Sequence, residues 1–568
     1  MEETERYKMN IVSKKLSLAL LLVIILASQA YSQIELVPVS HKVYPFLKRM
    51  ELKGLIQNYN SANLPLSRKD VATFLNEISD KTSELSSAEK KMYSDLLIEF
   101  QFDLQKNLDN AISLFSNFKI KNIFDDDKYK YLYAYFDKDA SLFLDGTAFL
   151  SYRNFDAQSY PKTSIQLGEL GIRLRGSLYD NLGFYLRMSN GQQINGSDYS
   201  RTVAAQYDSK LKSNEKFIGE KYFDSFEGYM RFESSNRAVA LTFGREKFVM
   251  GTGFIDKLFL SGNTAPFDFG RIDVRYKSLQ YSFFYGNLKG DSLGVPLTSK
   301  NIIAHRLDIR FSENFKLGLY ESIIAANRPI SFTYMNPVSF LVSADFTAEP
   351  KNQSNALLGV DMEIKPVKDV SLQFSLLIDD LNFKTLYKND SSSDDNKFGY
   401  QAGILLVDPF RISNLTATIE YTRIDPFVYS HRTNESTYAN WGISLGHALQ
   451  PNSDEIAFLL NYYLSGRTVL NLEYQHQRSG GGIILDKTGK LIRNFGGDVN
   501  RGDGDNQYYN TFLMGNRIDR DIVTFSFHIE PIRQYFLDFS YSLQMLDLKY
   551  TGQKYNDGYL YVTVSTDF

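Results

Sequence analysis

The sequence predicts an all-β protein, an antiparallel transmembrane outer-membrane barrel of about 18 strands with a small N-terminal α-helical periplasmic segment. Three observations predict it. Segments of alternating polarity fill the chain from Tyr129 onward, each about 9–14 residues long, the length a tilted strand needs to cross a bilayer. Aromatic residues make up 14% of the chain, almost all of them Tyr and Phe, and they cluster at segment ends as an interfacial girdle requires. The run Tyr559-Leu560-Tyr561-Val562-Thr563-Val564-Ser565-Thr566-Asp567-Phe568 puts Leu560, Val562, Val564 and Phe568 on one face, and it resembles the terminal strand that bacterial outer-membrane barrels present to their insertion machinery.

Taken in order, residues 1–32 read as a signal peptide. Lys14 and Lys15 precede the apolar run Leu16–Ala27, and Ala27-Ser28-Gln29-Ala30-Tyr31-Ser32 offers small residues at cleavage spacing after Ala30 or Ser32. The run is too short for a spanning helix, and Met9 is an alternative start. Residues 33–128 read as helical. Ser67-Arg68-Lys69-Asp70 forms an N-cap with an acidic third residue, followed by Val71, Phe74, Leu75 and Ile78 on one face. Ser86-Ser87-Ala88-Glu89 is a second capping box, followed by Met92, Tyr93, Leu96 and Phe100. These amphipathic helices form a periplasmic bundle or dock on something.

Residues 129–568 read as the barrel. Tyr535, Leu537, Phe539, Tyr541, Leu543 and Met545 alternate with polar residues, as do Val370–Ile378 and Leu307–Phe311. About 18–20 candidate strands emerge, and an even number is favoured. Counting back from a periplasmic Phe568 puts 550–556 outside, 531–533 inside and 479–518 outside. Simple alternation then puts the acidic 383–396 stretch on the periplasmic side, although long loops face the medium. One strand between residues 408 and 468 is therefore miscounted.

Composition narrows the function. Lys+Arg number 63 against 66 Asp+Glu, a net charge of -3, so the basic excess of a nucleic-acid binder is missing. Cys is zero, which removes thiolate metal sites, cysteine catalysis and a lipidated cysteine. Of six His, none falls in H-E-x-x-H, and there is no G-x-S-x-G. The expectation is a non-enzyme without cofactor or metal. Asp498-Val499-Asn500 and Asp503-Gly504-Asp505 lack the glutamate that closes an EF-hand loop, and read as a solvated polar loop.

The lumen face carries the candidate ligand site. Arg173 and Arg175 point inward on one strand and Arg187 on the next. Arg271, Asp273 and Arg275 form an Arg-x-Asp-x-Arg ladder that Arg306, Asp308 and Arg310 repeat. Guanidinium groups with interleaved carboxylates can hold an acidic sugar. The alternative is a salt-bridge lattice that fills and stiffens the lumen. Trp441, the sole Trp, is either a sugar-stacking platform or an interface anchor.

Ordered blocks of residues then resemble a family. The head carries Val37-Pro38-Val39-Ser40-His41, Val43-Tyr44, Phe46-Leu47, Arg49-Met50, Gly54 and Pro65-Leu66-Ser67-Arg68. The barrel carries Gly244-Arg245-Glu246, Gly251-Thr252-Gly253, Leu260-Ser261, Pro266-Phe267-Asp268, His305-Arg306-Leu307, Gly318 with Glu321, and Tyr334-Met335-Asn336-Pro337. Their order resembles the Wzi-type capsule assembly proteins over nearly the whole mature chain. The resemblance implies an 18-stranded outer-membrane barrel that acts as a surface lectin for capsular or exopolysaccharide, and it adds Glu246, Glu321, Tyr334 and Asn336 as motif candidates. The implied partners are polysaccharide, outer-membrane lipid, the barrel-insertion machinery and capsule-export components at the periplasmic side. A selective porin for oligosaccharides or other solutes is the competing reading. Strict alternation puts Arg245 outside and Glu246 inside, unless Gly244 opens a bulge. The segment 251–268 lacks alternation and carries Phe254, Leu258 and Phe259, so it is expected to fold into the lumen or cap it.

Overall fold

A computed structural model describes residues 33–116, 119–292, 295–296, 299–327, 332–345, 354–380, 396–502 and 511–568. The expected signal peptide lies outside the described residues, as do Asp503, Asp505 and nearly all of the acidic 383–396 stretch. Eighteen long strands close into an antiparallel barrel. They begin with β1 (Ala140–Asp156), β2 (Thr163–Leu178), β3 (Leu182–Gly196), β4 (Tyr222–Glu233), β5 (Val239–Glu246) and β6 (Phe267–Tyr276). Next come β7 (Leu279–Leu288), β8 (Lys300–Ser312), β9 (Phe315–Ala326), β10 (Asn355–Ile364), β11 (Val370–Asp380) and β12 (Lys397–Val407). The last are β13 (Leu415–Ile424), β14 (Ser453–Ser465), β15 (Thr468–Ser479), β16 (Ile518–Ile532), β17 (Tyr535–Leu548) and β18 (Gln553–Asp567). Pairing of β18 with β1 closes the ring, and the short strand Tyr133–Phe136 continues the line of β18 along β1.

Short turns gather at one end and long connections at the other, which orients the barrel with the short turns in the periplasm. The miscount is then explained. Residues 425–452 contain no barrel strand but one long outer connection between β13 and β14. Its Val428, Tyr429, Tyr438, Leu445 and Leu449 are buried in a lumenal core with Leu258, Phe259 and Leu260, so apolar residues that fill the barrel read like residues that face lipid. With that strand removed, β11 and β12 join at the outer end, which reverses the side that alternation assigns to 383–396.

The helical head consists of α1 (Val43–Leu52), α2 (Arg68–Ile78), α3 (Ser87–Glu99) and α4 (Gln101–Gln105). Ser67 Oγ accepts the Asp70 N–H at 3.1 Å, and Ser86 and Glu89 complete a reciprocal capping box; each such cap contributes about 1 kcal/mol. The head shares an apolar core of its own and fills the periplasmic mouth. Its docking face is charged yet buried. Lys48 pairs with Glu51 and with Glu363 of β10, and Glu51 also takes Lys316 and Lys365. Burial alone would raise the Glu51 carboxyl, but the three lysines outweigh it and hold it below the usual carboxylate range. Arg49 reaches Thr416 at 2.7 Å, Glu89 at 2.8 Å and Asp408 at 2.8 Å, while Asp95 holds Arg467 and Arg533, each at 2.8 Å.

Glu35, also in the inner mouth, has no hydrogen-bond partner for either carboxylate oxygen among the described residues. Burial, opposed by Arg175, pushes its pKa up to about 7 from 4.5. The fold thus accepts the protonated acid. Its contribution is full below pH 4.5 and is lost as the pH rises from 4.5 to about 7. Glu35→Gln, shaped like the protonated acid, is expected to unfold at a higher temperature than the parent at pH 8 and at the same temperature at pH 4. Equal values at pH 8 would mean the carboxylate is hydrated.

Two inserts close the lumen from the outer side. Residues 198–220, opened by α5 (Asp198–Gln206), pack Val203, Leu211 and Phe217 on inward Phe155, Leu167 and Tyr559. Residues 251–266 descend to the head. Asn63–Leu64 pairs with Val249–Met250, and the Gly251 N–H donates to Ala62 O at 2.9 Å. Met250 and Leu260 exchange hydrogen bonds of 2.8 and 3.0 Å, and the Ser261 N–H donates to Leu445 O at 2.9 Å. Glu420 anchors the segment by accepting the N–H groups of Phe254, Ile255 and Asp256 at 2.6, 3.0 and 3.2 Å. Gly253 is required there, because a Cβ would lie 1.9 Å from Asp256 O.

Candidate functional site

The inward arginines sit toward the periplasmic half and already have partners. Arg173 pairs with Asp145 and Asp567, and Arg175 reaches Gln33 and Tyr131. Arg271 holds Asp273 and Asn63, Arg275 holds Asp70 of the head, and Arg310 lies 3.7 Å from Glu313. Arg306 is fully buried, with both terminal nitrogens on Asp361 at 2.7 and 2.8 Å and Nε on Asp308 at 2.9 Å. The pair passes over Gly318, where a Cβ would meet Arg306 Nη2 at 2.1 Å. These arginines form an ion-pair network inside the lumen, and several of its contacts tie the head to the wall.

The motif candidates separate. Glu246 is inward and buried, beside a void of about 10 Å³, while Arg245 points outward and pairs with Asp268 at 2.6 Å. Glu321 is not in the lumen. It faces outward with His305 at 2.8 Å and accepts the Leu341 and Val342 N–H groups at 2.9 and 2.6 Å. Tyr334 is buried in the same outer-wall cluster with Phe283, Ile303 and Leu341, and exposed Asn336 caps the local turn, its Oδ1 accepting the Val338 N–H at 3.2 Å. Trp441 stands at the tip of a short hairpin in the outer connection, its N–H on Lys289 O at 2.8 Å, so it belongs to the loop cap rather than to a wall strand.

Sequence reasoning missed the cavity at the outer mouth. About 560 Å³ lies between the descending segment, the 447–453 connection and the upper ends of β14–β16. Asp256 is fixed by Asn263 at 3.0 Å and the Ala448 N–H at 2.8 Å. Gln477 donates to Glu455 at 2.6 Å, and Arg520 touches Gln477 at 3.4 Å. Unlike the ladder arginines, Arg520 has no carboxylate within 4.0 Å among the described residues. An inward guanidinium flanked by amides and carboxylates can bind hydroxyls and an acid group together. The lining comes from segments as far apart as Ile255 and Tyr550, so no local motif announces it. Alternation alone places Gln475, Gln477 and Arg520 inward, and that was the available signal.

Comparison with known proteins places this geometry. No curated protein matches the chain in sequence. Among solved structures, Wzi of Escherichia coli, described as an outer-membrane protein involved in group 1 capsule assembly and a carbohydrate-binding β-barrel, is 14% identical. The match covers 94% of this chain and 99% of that one with a TM-score of 0.57, a likeness of fold. Vanillate-bound OpdK of Pseudomonas aeruginosa is 11% identical over 76% of this chain and 100% of that one, with a TM-score of 0.45. OprD of the same organism is 11% identical over 75% and 95%, with a TM-score of 0.41. The sequence profile described as capsule assembly protein Wzi matches residues 171–540, from within β2 to within β17. With that match over well more than half its length, the chain belongs to the Wzi family of capsule assembly proteins.

Proposed function

We propose that the protein holds capsular or exopolysaccharide on the cell surface, binding an acidic glycan at the outer cavity without catalysing a reaction. The observation that carries the reading is Arg520, a guanidinium without a carboxylate partner among the described residues, in an open polar cavity on the outer side. Family membership and the carbohydrate-binding description of the Escherichia coli barrel support it. The cavity is poorly equipped for nucleophilic chemistry. His447 stands 3.4 Å from Thr422 Oγ1 and 3.8 Å from Asp256, which resembles a triad. However, the Leu449 N–H donates to His447 Nδ1 at 3.0 Å. The ring proton therefore sits on Nε2, facing Thr422, and the imidazole cannot accept the hydroxyl proton. Around this activity the reading places lipid against the barrel wall, the insertion machinery during assembly, and export components at the periplasmic face of the head.

The test is glycan partition in a deletion strain complemented with the parent chain or with Arg520→Gln. Total glycan should stay constant while deletion moves it from washed cells to the medium. The parent should restore retention, and Arg520→Gln should restore it several-fold less well while reaching the outer membrane in equal amount. Unchanged partition after deletion would overturn the reading, and full rescue by Arg520→Gln would move the site elsewhere.

A further inference from the structure

Glu321 and His305 are polar groups on the lipid side of the wall. Register sets them opposite one another on β9 and β8, and both face outward, since Arg306 beside His305 is committed to Asp361 in the lumen. Their depth follows from the strand. Phe311 and Phe315 stack at 5.4 Å where β8 turns into β9 at the inner rim. His305 lies six residues farther along β8, about 20 Å of strand, or about 15 Å of depth at a tilt of ~40°. That is well inside the ~25 Å apolar band of such a barrel. A bare carboxyl there would face hydrocarbon. Glu321 is instead only 2% exposed, because residues 332–345, part of the outer connection between β9 and β10, lie over it.

The covering segment suits a place without water. Besides the Leu341 and Val342 N–H groups on Glu321, the Ser339 N–H donates to Asn336 O at 3.2 Å and the Ala344 N–H to Phe340 O at 3.0 Å. The Val338 N–H is held by Asn336 Oδ1, and the Tyr281 hydroxyl of β7 donates to Pro337 O. An unpaired backbone group is costly in hydrocarbon, and these bonds remove that cost. Tyr334, Leu341 and Ala344 pack on Phe283, Ile303 and Ile323 of the wall. On the other side Met335, Val338 and Phe340 remain 44%, 85% and 52% exposed, an apolar group that water disfavours and acyl chains accept. From this geometry we infer that residues 332–345 re-enter the membrane from the outer side as a strap, clasped to the wall by Glu321, with Met335, Val338 and Phe340 seated among the acyl chains of outer-leaflet lipid. The barrel thereby gains a lipid contact that its strands do not make, and the outward carboxyl of Glu321 has its use in holding it.

The chain contains no cysteine, so a single thiol reports on a single place. Val338→Cys marks the strap, and Lys487→Cys marks an exposed turn of the outer connection between β15 and β16. Each is labelled with bimane, and the full protein is placed in liposomes. Phospholipid brominated on its acyl chains should quench the Val338 label several-fold and leave the Lys487 label bright, while iodide in the water should do the reverse. Adding Glu321→Ala to Val338→Cys should open the label to iodide while the barrel keeps its heat resistance on gels, and Glu321→Gln, which keeps one acceptor, should fall between. A Val338 label that iodide quenches as strongly as the Lys487 label, with Glu321 intact, would overturn the inference. Iodide quenching unchanged by Glu321→Ala would overturn the clasp. A disulfide-linked dimer formed on oxidation of Val338→Cys in cell membranes would overturn the lipid seat in favour of a second copy of the chain.

Discussion

Arg306→Gln is expected to lower the temperature at which the folded barrel unfolds on gels, by an amount that reflects about 3–5 kcal/mol. The guanidinium is completely buried and serves Asp361 and Asp308 at once, so its loss strands two carboxylates away from water. Asp361→Asn in the same chain should recover part of the loss, because it removes one of the stranded charges. Glycan retention should survive in whatever fraction folds. A variant that keeps full heat resistance and instead loses glycan would restore the ladders as a ligand site.

Glu420→Ala is the second large effect. Its carboxylate accepts three successive backbone N–H groups and two side-chain amides, from Gln373 at 3.0 Å and Gln401 at 3.2 Å. Each donor left unpaired costs about 1–3 kcal/mol, so the descending segment should leave its seat while the strand ladder stays closed. Trypsin added to intact cells should then cut after Lys257, which the parent protects. Glu420→Gln retains one acceptor and should fall between the two. Equal resistance in all three would show that the apolar contacts of Leu258, Phe259 and Leu260 suffice.

Much of the architecture was legible because the barrel wall repeats a single physical instruction. On β17, Tyr535 to Met545 must alternate if one face meets hydrocarbon and the other the lumen, and the strand pairing confirms that alternation. The rule failed where apolar residues had another destination. Tyr429 and Tyr438 point into the barrel and donate to Leu258 O and Phe259 O at 2.6 and 2.8 Å, contacts that no local pattern reveals. The ladder arginines could be placed inward from spacing, but their partners could not. Asn63 and Asp70 belong to the head, some two hundred residues away in sequence, and only docking of the head shows that they occupy Arg271 and Arg275. Glu321 was only a motif candidate, and its surroundings could not be read for the same reason, since the 332–345 connection that claims it folds back over the outer wall.

The backbone contacts from Asn63 through Met250 and Leu260 to Ser261 and Leu445 have a mechanical consequence. If the outer loops hold a polymer, as proposed, flow of the surrounding medium pulls on them. That tension does not fall on the loop roots alone. Part of it runs down the descending segment into the head, where the short strand pair at Met250 and the ion pairs around Arg49 and Asp95 oppose displacement toward the outside. The head is thus tied to the inner side of the wall at several places, among which such a load would be shared.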